Sequence, residues 1–139
     1  MSHRIYLPLT GAELADLVTE RRLEGPRAAY AVTDALRSAV PDGDDDDLEY
    51  VAMAAAADAS WQSRRDGDRP RRVVVAADVS AIDAVSGEHP AEVVVAHGVV
   101  WRNVASAHVD TADVTAAEAE SDDAPDLAWF ATQELATLV

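Results

Sequence analysis

Cysteine and lysine are both missing from this chain of 139 residues. Without cysteine there is no disulfide, no thiolate metal site and no cysteine nucleophile. All eleven basic residues are arginine, set against twenty-six Asp and Glu, so the formal net charge is -15. A surface this acidic repels phosphate backbones and anionic lipid headgroups, so neither a nucleic acid nor a membrane is expected as a partner. A GC-rich genome or a salt-adapted surface accounts for arginine in place of lysine. Aromatic residues are also scarce, with one Phe, three Trp and three Tyr. Much of the hydrophobic fraction is alanine, which buries little area per residue, so valine-rich segments must supply the core. No apolar run reaches the roughly 20 residues needed to cross a bilayer; the longest, from Tyr50 to Ala57, meets Asp58. The opening Met1-Ser2-His3-Arg4 lacks the apolar stretch of a signal peptide. A cytoplasmic protein is the expectation.

The charge that is present is unevenly placed. Residues 1–41 balance five arginines against five acids, 42–60 carry seven acids and no base, and 61–72 carry five arginines against two aspartates. Residues 73–139 hold twelve acids and Arg102 alone. Arg4 to Leu9 alternates as a strand, and Thr10-Gly11-Ala12-Glu13 has the spacing of a capping box opening a helix that stops near Gly25-Pro26. Ala28 to Val32 reads as a second strand, and Thr33 caps a brief helix ended by Pro41-Asp42-Gly43. The main helix is expected from within Asp44–Asp47 to about Arg65, with Leu48, Val51, Ala55 and Ala59 as its apolar stripe and Met53, Ala54, Ala57 and Trp61 widening it. Arg72 to Val79 has no polar alternation through Val73-Val74-Val75-Ala76-Ala77, the mark of a strand covered on both faces. Glu92 to Ala96, Ala105 to Asp110 and Leu127 to Phe130 read as further strands, and Thr132 caps a last helix through Leu138.

Few residue sets point to chemistry. Ser106, His108 and Asp110 alternate, so a strand presents all three from one face, as a nucleophile, a base and an orienting acid would require. Consecutive residues on that face stand about 6.5–7 Å apart, however, and their side chains run parallel. Asp78 ends the valine strand, where ligand sites of open sheets tend to lie. Asp78, His108 and Asp110 are therefore the candidate catalytic residues. Asp42 to Asp47 fails as a calcium loop, since the sixth and twelfth positions are Asp47 and Met53 instead of Gly and Glu. His108 and Asp110, with His97 or His89, make at most a partial ligand set, so no metal and no cofactor are expected. Arg64, Arg65, Arg69, Arg71 and Arg72 form a basic cluster with no glycine-rich phosphate cradle beside it. Trp61, Trp101, Trp129 and Phe130 either fill the core or line a pocket.

The chain resembles an uncharacterised family of small actinobacterial proteins. The likeness rests on Arg4-Ile5-Tyr6-Leu7-Pro8-Leu9-Thr10, Ala29-Tyr30-Ala31-Val32-Thr33, Leu48-Glu49-Tyr50, Val73 to Val79, Ala107-His108-Val109-Asp110 and Trp129 to Leu135. It implies a cytoplasmic, actinobacterial origin and assigns no activity or site residue. The expected fold is a single α+β domain spanning 1–139, with a mixed sheet packed against helices. The leading functional expectation is a non-catalytic interaction domain, as a homodimer or with another protein partner. The alternatives are a small hydrolase or transferase using Asp78, His108 and Asp110, and a polyanion mimic presenting the acids of 42–47 and 110–126 to a basic protein.

Overall fold

The computed structural model describes residues 2–85, 87–122 and 124–139. It is an α+β structure built on a seven-stranded sheet in the order β5-β6-β3-β1-β4-β8-β9. Strand β1 (His3–Leu9) lies at the middle, paired to β4 (Val73–Val79) over seven residues, from His3 opposite Val79 to Leu9 opposite Val73. On its other side are β3 (Arg27–Tyr30), β6 (Glu92–Val95) and the two-residue β5 (Asp83–Ala84). Beyond β4 come β8 (Val104–Val109) and β9 (Ala128–Ala131).

Every pairing among the described residues is antiparallel, where a mixed sheet was expected. The physical reason lies in the crossover. Strands β3 and β4 run in the same direction, with helices α2 (Asp34–Ala39) and α3 (Asp45–Ser63) carrying the chain between them. Strand β1 is inserted between the two, antiparallel to each, so parallel strands exist but are never neighbours.

The centre of β4 is enclosed on both faces, as its unbroken apolar run implies. Val74 and Ala76 meet Leu36, Leu48, Ala52 and Ala56 of α2 and α3. Val73, Val75 and Ala77 meet Leu14 and Leu17 of α1 (Gly11–Glu20), together with Leu135 from the 3-10 helix Thr132–Leu138. Val74, Val75, Ala76 and Ala77 are all fully buried.

Helix α1 starts at the expected capping box, where Thr10 accepts the Glu13 amide and Glu13 accepts the Thr10 amide. It stops earlier than expected. Arg21 adopts φ 63 and donates its amide to Leu17, ending the helix before Gly25-Pro26. Arg22–Leu23 then forms β2, which pairs with β7 (Val99–Val100) in a small second sheet. The terminal segment also differs: the Thr132 hydroxyl donates to the Val104 carbonyl instead of capping, and Glu134 accepts the Ala131 amide.

Helix α3 is opened by Asp44 and Asp47 in a second capping box. Leu48, Ala57 and Trp61 are buried as expected, but Ala52, Ala56 and Ser60 are buried where Val51, Ala55 and Ala59 were expected. At its end Arg64 donates to the Trp61 carbonyl and stacks on that indole, 3.4 Å from the ring centroid.

Candidate functional site

The sheet face beneath α3 carries most of the chain's clustered polar chemistry. Register places Arg4 opposite Asp78, and Tyr6 opposite Ala76, with all four side chains on that face. Arg4 grips Asp78 with Nε at 2.8 Å and Nη2 at 3.1 Å, a two-pronged pair that is partly exposed. The Tyr6 hydroxyl donates to Glu49 Oε2 of α3 at 2.5 Å. Burial, then the Glu49 carboxylate, pushes the Tyr6 phenol well above its usual range. The Arg4 guanidinium holds the Asp78 carboxyl below its usual value.

Strand β8 continues the face, with Ser106 opposite Ala76 and His108 opposite Val74. His108 leans along the strand, bringing Nε2 to 3.2 Å from Ser106 Oγ. Burial lowers the His108 pKa, and the nearby positive charge of Arg4 lowers it further. The imidazole is therefore kept neutral over a wider pH range than a free histidine.

Asp78, His108 and Asp110 do not converge. Asp78 is held by Arg4 near one end of β4, while Asp110 lies beyond the other end. There Asp110 takes three bonds from Arg72, through its backbone amide at 2.7 Å, Nε at 2.9 Å and Nη2 at 2.8 Å. The side chains of this ion pair are only 6% and 2% exposed. The group expected to orient His108 is thus spent on Arg72, and the alternation of Ser106, His108 and Asp110 yields only the first contact. Sequence reasoning passed over Arg4, Tyr6 and Glu49 as site residues. Their meeting depends on strand register and on the seat of α3, which no local pattern reveals.

Of the remaining candidates, Arg71 pairs with Asp113, and Asp45 of the acidic run pairs with Arg37. A cleft of about 700 Å³ beside the start of α1 is lined by Glu13, Arg27, Arg65, Asp66 and Asp68, a mixed-sign wall that favours no anion. Among the described residues no group of three or more His, Asp or Glu is placed to hold a metal ion.

The outer margin of this face is aromatic. Trp129 of β9 sits opposite His108 and is 61% exposed, and Tyr50 of α3 is 63% exposed. The core takes Trp61 and part of Phe130 instead.

The lowered His108 pKa has a consequence for stability. Below its unfolded value of 6.5, the unfolded chain takes up a proton that the folded site resists. Stability is therefore expected to be full above that value and to fall as pH drops toward the folded pKa. Denaturation midpoints between pH 7 and 5 check this, since His108→Gln should flatten that part of the profile. An imidazole titration of His108 at or above the free value would contradict it.

The chain belongs to a family of unknown function, DUF6912, whose model matches residues 3–139. No curated protein and no solved structure matches it. No helix among the described residues is long and apolar enough to cross a membrane.

Proposed function

We propose that this chain is a cytoplasmic, non-catalytic interaction domain that binds another protein through the side of the sheet ending at β9. The observation that carries the reading is the contrast between the two sheet edges. Proteins guard free edges with very short strands, charges or proline, because unpaired strands invite pairing with another chain. Strand β5 is guarded: it is two residues long and includes Asp83. Strand β9 reads Ala-Trp-Phe-Ala, without a charge or a proline, and exposes most of its indole. Large exposed aromatics in such a place mark contact surfaces.

The test is the native size of the protein in its own cell extract. A complex larger than 14.8 kDa is expected, reduced to that mass by Trp129→Glu and unaffected by His108→Ala. A wild-type chain running at its own mass, or a complex indifferent to Trp129→Glu, contradicts the reading.

A second reading rests on the 3.2 Å approach of Ser106 Oγ to His108 Nε2. It is a small hydrolase or transferase in which neutral His108 accepts the Ser106 proton. Asp78 and Asp110 would then act only through Arg4 and Arg72. An active-site phosphonate that labels Ser106 in the wild type but not in His108→Ala supports it; equal labelling, or none, removes it. The polyanion-mimic reading has less support, because Asp44 and Asp47 are used as caps and Asp110 and Asp113 are paired. Asp123, one of its carboxylates, lies outside the described residues.

A further inference from the structure

Strand β9 stands in the longest stretch of the chain without an arginine. Residues 103–139 contain eight acids and no arginine. Arg72 and Arg71 neutralise Asp110 and Asp113. Among the described residues Glu118, Glu120, Asp122, Asp126 and Glu134 have no cation at salt-bridge distance, and they flank β9 on both sides in sequence. Two of them lie on the same side of the sheet as Trp129. Asp122 and Asp126 border a cleft of about 280 Å³ whose other lining includes Tyr50, Met53 and Asp58 of α3 and Arg72, whose guanidinium is already taken by Asp110 and the Pro125 carbonyl. Burial raises the Asp58 pKa, only partly offset by the positive charges of Arg72 and His89, so this carboxylate is partly stripped of water.

The backbone of β9 adds direction. The Ala131 amide donates to Glu134 Oε1, so it points away from β8. Alternate residues of a strand turn their backbone groups the same way. The N–H and C=O of Trp129 therefore also point outward, while Ala128 and Phe130 face β8. The free edge offers one donor and one acceptor at its centre, beside an exposed indole and within an acidic rim.

We infer that this edge takes up an extended, arginine- or lysine-rich segment of another protein as an eighth strand, with a basic side chain entering the Tyr50–Asp58–Asp126 cleft. The inference rests on the docking reading given above and names its occupant. Backbone pairing at an edge supplies attachment, and pockets for alternate side chains supply selectivity. A cationic side chain on an aromatic ring gains further from the ring's negative face. A second copy of the chain fits less well, because it brings the same unpaired carboxylates and another net charge of -15 to the contact.

A peptide alternating arginine and valine is the probe, with a copy carrying glutamate for arginine as its control. The arginine peptide is expected to bind, to protect the Trp129 amide from exchange, and to bind more weakly as salt is raised. Trp129→Ala should weaken binding tenfold or more, and Asp122→Asn with Asp126→Asn should flatten the salt dependence, both variants keeping the wild-type circular dichroism. Absence of binding, equal binding of the glutamate peptide, or binding without protection at Trp129 overturns the proposal. If instead the chain associates with itself through Trp129, more tightly at high salt, the basic occupant is wrong while the docking reading survives. If the native size in extract also ignores Trp129→Glu, both fall.

Discussion

Asp110→Ala is expected to destabilise the fold by about 3–5 kcal/mol, the cost of leaving a buried charge without its partner. The carboxylate is almost wholly enclosed and receives both the guanidinium and the backbone amide of Arg72. Alanine would strand the Arg72 cation and orphan its amide together. The damage should spread, because Arg72 Nη2 also donates to the Pro125 carbonyl at 2.7 Å and so ties down the segment leading into β9. Urea unfolding reads the effect as a lower midpoint with an unchanged slope. Replacing both partners, as Arg72→Met with Asp110→Leu, should recover part of the loss, since it removes the stranded cation while the residue-72 amide still lacks its acceptor. A single-mutant cost under about 1 kcal/mol would mean that water reaches the pair, as it does at surface bridges.

The second large effect is expected at Ser60. Its hydroxyl donates to the Leu9 carbonyl at 2.6 Å and accepts the Val73 amide at 2.8 Å. One fully buried side chain thus fastens α3 to the ends of both central strands. Ser60→Ala removes a single oxygen and leaves the amide and the carbonyl short of a partner, at about 1–3 kcal/mol for each group. Faster exchange of the Val73 amide should accompany the loss. Ser63→Ala, whose hydroxyl bonds only the Ala59 carbonyl at an exposed position, is the comparison and should change stability little. Equal, small effects at both sites would show that α3 is held by packing alone.

The strands and caps were readable because they rest on local patterns. The apolar run of β4 and the spacing of Thr10 to Glu13 and of Thr33 to Leu36 each specify a conformation without knowledge of the rest of the chain. The face of α3 was readable only in part, at Leu48, Ala57 and Trp61. With alanine at most positions, several stripes look equally apolar, and the one that is buried includes a serine because two strand ends need its hydroxyl. The short β2, β5 and β7 were missed because two residues carry no period. The site was legible only in pieces. His108 stood out by residue type and Ser106 by alternation, but the partners of Asp78 and Asp110 come from strands far away in sequence.

The claim at the centre is that β9, and not the Ser106–His108 pair, is where this protein meets other molecules. A photo-crosslinking aromatic residue placed at Trp129, and in a parallel variant at Ala84 on the guarded edge, tests it most directly in living cells. The account predicts a discrete adduct of defined mass from position 129 and none from position 84. No adduct at 129, or the same pattern from both edges, would contradict it.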